Sequence, residues 1–119
     1  MSSLPVIDPE AIRNLRALNP GDQDEFLREI VGIFLEDMPR RLTELDSSLA
    51  AGDAAKFSRA AHSIKGSSGN LGALALWEVA GKLEQRSQNE GLGDVAGLLN
   101  ELKLQFELAT EELKKQLGT

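Results

Sequence analysis

The sequence predicts an all-α protein: an antiparallel, up-down four-helix bundle with a short N-terminal helix capping one end. Three observations carry this. Apolar residues recur at spacings of three and four, the repeat of a helix with one buried face. Gly, Pro and Asp gather at a few points that cut the chain into long helical stretches with short joints. No stretch alternates as a half-buried strand would. With four Phe, one Trp and no Tyr, the core has to come from Leu, Ile, Val and Ala.

Residues 1–7 read as an extended lead-in, because Pro5 opposes a helix. Asp8-Pro9-Glu10 then reads as a helix start: Asp8 as N-cap, Pro9 at the first helical position, Glu10 favoured by the dipole. Ile12, Leu15 and Leu18 give this short helix an apolar side, and Asn19-Pro20-Gly21 stops it. Asp22 is expected to cap the second helix, with Glu25 completing a capping box. This helix is expected from about Gln23 to Ala50. Phe26, Ile30 and Ile33 mark one stripe, and Met38, Leu42, Leu45 and Leu49 a second, rotated by about 120°. Pro39 lies at the changeover and predicts a kink. No Gly or loop residue separates the halves, which favours one bent helix over two.

Ala51-Gly52-Asp53 ends that helix and caps the third, expected over Ala54 to Asn70. Here Phe57, Ala61, Ile64, Ser68 and Leu71 fall within about 80° of one another and form a core stripe. Gly72 closes the helix. The fourth runs from about Ala73 to Asn89 and buries Leu76, Val79, Ala80 and Leu83. Gly91 and Gly93 break it. The last runs from about Leu92 to Gln116, with Val95, Leu99, Leu102, Phe106, Ala109 and Leu113 along one narrow face.

A chain of 119 residues suffices for one domain, taken as 1–119. Apolar content of 41% and charged content of 27% are ordinary for a globular protein. Cysteine is absent, which excludes disulfides and thiolate chemistry. There is no run of apolar residues long enough to span a membrane and no secretory signal, so a cytoplasmic monomer is expected. The net charge of −6 argues against nucleic acid, which needs a basic face.

The chemistry has to come from the third helix. His62 is the only histidine. It sits about 140° from the centre of the core stripe and so faces outward. Its helical neighbours are Ala55, Ser58, Arg59, Lys65, Gly66 and Gly69. Each interior glycine costs roughly 0.8–1 kcal/mol against alanine. Gly66 and Gly69 either keep the surface bare for something that approaches His62 or end the helix as a C-cap. Spacing alone leaves both open.

One histidine without cysteine cannot build a His/Cys zinc site. A Ser-His-Asp triad through Ser58, Ser67 or Ser68 would lack an oxyanion element and a strained nucleophile turn. Residues 66–72, GSSGNLG, close a helix rather than follow a strand, and no Walker sequence is present. The imidazole as a phosphoryl acceptor remains. A neutral ring nitrogen is nucleophilic near neutral pH, and Lys65, one turn on, can offset the charge that a phosphoryl group adds. A solvated histidine beside a solvated lysine is the plain alternative.

AHSIKGSSGNLG closely resembles the phosphorylation motif of histidine phosphotransfer (HPt) domains, roughly H-x-[IL]-K-G-[SA]-x-x-x-[LIF]-G. The matching residues are His62, Ile64, Lys65, Gly66, Ser67, Leu71 and Gly72. FLREIVGIFLEDMPRRLTEL and AAGDAAKFSRAAHSIKG resemble the family's preceding helix and its approach to the histidine. The resemblance extends over about Ile7 to Leu117. It implies an antiparallel four-helix bundle that carries phosphoryl groups between receiver-domain aspartates, with no ATP site and no hydrolytic centre. By that resemblance His62 is the phosphorylated residue, Lys65 stabilises the phosphoryl group and Gly66 lets the receiver approach. Glu84 takes the place of a Gln or Glu that hydrogen-bonds the ring's other nitrogen. A solvated Glu84 is the alternative, and Gln85 a weaker substitute. Ser58, Arg59, Gly66 and Gly69 would meet the partner. Gly69 could equally serve the helix end, with Gly72 the better terminator.

The implied partners are response-regulator receiver domains or a hybrid sensor histidine kinase. No cofactor is implied, since any divalent metal would belong to the receiver. Two rivals differ in class. The phosphoacceptor module of chemotaxis kinases has a similar H-S-I-K-G motif and a comparable Glu, and takes its phosphoryl group directly from an ATP-dependent kinase. A binding-only bundle would dock a receiver without chemistry, and a residue other than His at position 62 would have signalled it. Sensor-kinase dimerisation helices resemble H-E-x-x-x-P, whereas here Ser63 and Ser67 occupy those two positions.

Overall fold

The first three helices start where an Asp carboxylate accepts a free backbone amide. The computed structural model describes residues 4–118, so the start of the expected extended lead-in lies outside the described residues. Five helices follow in order: α1 Pro9–Leu18, α2 Glu25–Ala51, α3 Ala54–Asn70, α4 Leu74–Asn89 and α5 Ala96–Gln116. No strand occurs among the described residues.

The Asp8 carboxylate accepts the Glu10 amide at 3.0 Å, as the sequence predicts for an N-cap. The start of α2 differs. It lies two residues later than expected, after Gln23 and Asp24 at φ 58° and 66°. The Asp22 carboxylate still serves it, accepting the amides of Asp24 at 3.0 Å and Phe26 at 3.1 Å. In place of a capping box, the Glu25 amide donates to the Asp22 carbonyl at 3.2 Å. Arg16 holds the turn through Nε to Asp24 Oδ1 at 3.0 Å. Asp53 caps α3 by accepting the Lys56 amide at 3.1 Å. The last helix begins at Ala96 rather than near Leu92. The chain turns at Gly91 (φ +79°), and the Arg86 guanidinium ties down Asp94 at 3.2 Å.

The register of α2 is the main correction. Its buried residues are Leu27, Val31, Phe34, Met38, Leu45 and Ser48. The five apolar ones fall within about 60° on a helical repeat, so a single stripe runs the length of the helix. Phe26 and Ile30 are only half-buried, and Ile33 is 61% exposed. The expected rotation of the stripe at Pro39 is absent. The helix runs uninterrupted through Pro39, which is exposed on the far side. The segment FLREIVGIFLEDM is so rich in apolar residues that two stripes can be drawn through it, and only packing chooses between them. Leu18 in α1, also expected on an apolar side, is 64% exposed.

The other stripes lie where the sequence predicts. Phe57, Ala61, Ile64, Ser68 and Leu71 of α3 and its end are all buried, as are Leu76, Val79, Ala80 and Leu83 of α4. Val95, just before α5, and Leu99, Leu102, Ala109 and Leu113 on it are buried, and Phe106 packs at the margin. α3 packs most extensively on α4, then on α2, and α4 on α5.

The lead-in and the first helix are hydrogen-bonded to the α3–α4 joint and to the end of α5. The Asp8 amide donates to the Gly72 carbonyl at 2.8 Å and the Ala75 amide to the Pro5 carbonyl at 3.0 Å, pinning the lead-in to the α3–α4 joint. Arg16 Nη2 donates to the Gln116 carbonyl at 2.6 Å and Arg28 Nη2 to the Leu117 carbonyl at 3.0 Å. Gly72 has φ +72°, and a Cβ there would collide with the Ala11 methyl. Both facts make it a glycine position, and it closes the helix as expected. This end therefore fixes how α3 leaves and α4 returns, which sets the two helices that carry the site.

Candidate functional site

The core stripe of α3 dictates what faces out. With Phe57, Ala61 and Ile64 turned inward, His62 is left on the surface, its side chain 72% exposed. The inward face of α4 likewise leaves Glu84 at the edge of the α3–α4 groove, 17% exposed. The two meet there. His62 Nδ1 lies 2.7 Å from Glu84 Oε2. An ionised carboxylate can only accept, so Nδ1 carries the hydrogen and donates it. In a neutral ring this leaves the lone pair on Nε2. Glu84 thus stands where a carboxylate can hold the hydrogen on Nδ1 and orient an otherwise exposed ring.

Lys65 lies on the same face. Its ammonium is 3.9 Å from Glu84 Oε1, and its side chain is 38% exposed. One carboxylate therefore serves the imidazole through one oxygen and the lysine through the other. Arg59, His62, Ser63, Glu84 and Gln88 line a shallow groove with Ser58. Arg59 is exposed at its rim. Ser58 departs from the outward position expected of it: it is only 6% exposed, because α4 covers that edge of α3. It forms the floor of the groove rather than a projecting contact.

The two glycines expected on this face differ. At Gly66 an added Cβ would meet nothing within 4 Å, so the surface one turn beyond His62 is open. At Gly69 it would lie 3.3 Å from Trp77 Cδ1. That glycine seats an indole from α4 and does not end the helix, which continues to Asn70. Trp77 and Gly81 were not singled out from sequence. The available signal for Gly81 was an interior helical glycine with no turn to make.

Residues 29–116 match the family model of the Hpt domain. The chain belongs to the Hpt domain family. Histidine-containing phosphotransfer protein B (HptB) from Pseudomonas aeruginosa PAO1 has a similar crystal structure, with a TM-score of 0.86 at 27% identity. The match covers 98% of this chain and 97% of that one. No curated protein matched the sequence. The chain is accordingly a histidine phosphotransfer module of phosphorelay signalling, and Hpt domains work there with receiver domains and histidine kinases. No helix among the described residues is long and apolar enough to cross a membrane.

The open surface at Gly66 gives a first prediction. Gly66→Glu should leave the melting curve within a few degrees of wild type, because the added side chain has free space. It should slow phosphoryl transfer from a receiver by about 10-fold or more, since a bulky anion beside His62 opposes an anionic donor. Stopped transfer assays with a phosphorylated receiver domain measure this. An unchanged rate would count against close approach over Gly66.

Proposed function

We propose that His62 is the residue phosphorylated, that its Nε2 is the nucleophile, and that the chain passes the group between receiver-domain aspartates. The observation that carries this reading is the short Nδ1–H···Glu84 bond on a ring otherwise open to solvent. In the forward step Nε2 attacks the phosphorus of an aspartyl phosphate. The N–P bond forms as the P–O bond breaks, and the aspartate carboxylate leaves. No proton has to move, because Nε2 starts bare and Nδ1 keeps its hydrogen on Glu84. The developing imidazolium is stabilised by that carboxylate, and Lys65 and Arg59 supply positive charge for the phosphoryl oxygens. Return to a second receiver is the same step reversed.

In this reading the protein is a covalent carrier and not an enzyme. It uses no cofactor, and any divalent metal belongs to the receiver. The partner meets Arg59, Gly66 and the rim of the groove above Ser58, with Gly69 acting through the indole it seats. The bundle is an antiparallel up-down arrangement of α2 to α5 within one domain, 1–119, with α1 across one end. The hydrogen bonds of Arg16 and Arg28 to the end of α5, and of Asp8 to Gly72, support it. A cytoplasmic monomer is the matching state.

The test is to incubate the protein with a phosphorylated receiver domain and, separately, with ATP and a histidine-kinase core. Label on His62 from the receiver supports the relay. Label from the kinase alone would favour the phosphoacceptor module of chemotaxis-kinase type, which the carboxylate at position 84 also resembles. Label mapped to any residue other than His62 would sink the assignment.

A further inference from the structure

Lys65 does not extend freely into solvent. Its Cε and Cδ pass 3.6 and 3.7 Å from the point where a Cβ on Gly81 would stand, and Nζ is 3.9 Å from that point. The same ammonium lies 5.8 Å from the centroid of the Trp77 ring. Trp77, Gly81 and Glu84 are spaced four and three apart, so they form one outward row on α4. The row runs beside His62, Lys65 and Gly69 on α3. Each member contacts the lysine or holds what does. Gly69 gives the indole its seat, Trp77 flanks the ammonium, Gly81 leaves a track for the stem, and Glu84 receives the head.

We propose that Trp77 and Gly81 are positioning residues for Lys65: they hold its stem across α4, so that its head turns from Glu84 to the phosphoryl group when His62 is modified. This rests on the assignment of His62 as the acceptor. The cost of immobilising a long, flexible side chain at the moment of transfer falls when the stem is already held. An aromatic face suits that task, because it packs on the methylenes and attracts the charge. Trp77 is 39% exposed, and the ring has no core position that would account for it. Its seat on Gly69 and its place beside Lys65 do.

Phosphoramidate is the probe, because a small donor separates this role from docking of a receiver. In that reaction the Nε2–P bond forms as the donor's P–N bond breaks and ammonia leaves. Trp77→Leu should slow labelling of His62 by about 3- to 10-fold, while Trp77→Phe, which keeps a ring face, stays within about 2-fold of wild type. Gly81→Val should reproduce the leucine variant by blocking the track. In a Lys65→Met background Trp77→Leu should have no further effect, since the two act through one side chain. Trp77 is the only tryptophan, so its emission should change as wild type is labelled and stay constant in Lys65→Met at equal labelling.

Additive slowing in the Lys65→Met background would overturn the proposal, as a merely structural role for Trp77 predicts. So would an emission that does not change on full labelling. Slowing seen with a receiver but not with phosphoramidate would overturn it too, and would make Trp77 a docking contact. Absence of label on wild-type His62 from both donors is a different failure, that of the acceptor assignment itself.

Discussion

His62→Gln should take up no label from a phosphorylated receiver domain, and Glu84→Ala should take it up about 10- to 100-fold more slowly. The first follows from the chemistry: glutamine offers no ring nitrogen, and no other histidine exists to replace it. The second follows from the shared carboxylate. Without Glu84 the ring keeps its exposure but loses the acceptor 2.7 Å from Nδ1. Its two neutral tautomers then compete, and the imidazolium that forms on transfer loses its counter-charge. Glu84→Gln should fall between wild type and Glu84→Ala, because an amide oxygen can still accept from Nδ1 but carries no charge. Neither change at position 84 touches the core, so unfolding curves should stay close to wild type. Rates from quenched transfer assays, with phosphohistidine quantified by mass spectrometry, check the series. Equal rates for wild type and Glu84→Ala would show that the ring needs no orientation.

How much of this site the sequence disclosed depended on whether one helix or two were involved. The outward position of His62 and the place of Lys65 follow from a single helical repeat and are found, whereas spacing left Gly66 open between a bare surface and a helix end, and the structure shows open space there. Glu84 needed the resemblance to a known motif, because no periodicity on α3 states which residue of α4 will stand opposite. Trp77 and Gly81 are legible only when both helices are in hand. Ser58 failed for the same reason. On a bare helix it points away from the stripe, but the packing of α4 against α3 covers it to 6% exposure. Gly69 shows the limit of reasoning from cost alone. Its glycine does have a reason, but the reason is an indole from the neighbouring helix.

The fold divides in a similar way. Where apolar residues are sparse, as on α3, α4 and α5, one stripe fits the pattern and it is the buried one. On α2 the first half carries apolar residues on most of its circumference, and the choice of register depends on which of them α3 and α5 can receive. Phe34 is received: it is 4% exposed, and its ring lies edge-on to Phe106, with centroids 5.9 Å apart. Ile33, its neighbour, is not.

That difference supplies the second large effect. Phe34→Ala should cost about 3–5 kcal/mol, since it deletes a buried ring and leaves Phe106 facing a void. Ile33→Ala should change stability by no more than about 0.5 kcal/mol, because the side chain is already 61% exposed. Urea unfolding followed by circular dichroism gives both values from the midpoints at a common slope. The opposite order is what the stripe of Phe26, Ile30 and Ile33 would require, with the apolar face rotating at Pro39. The pair therefore decides the register of α2 independently of any activity. It also bears on the site, because α2 packs against the inner face of the helix that carries His62. If Ile33 proved the costly position, α3 would be supported from a different side. The outward angle of the histidine would then have to be derived again.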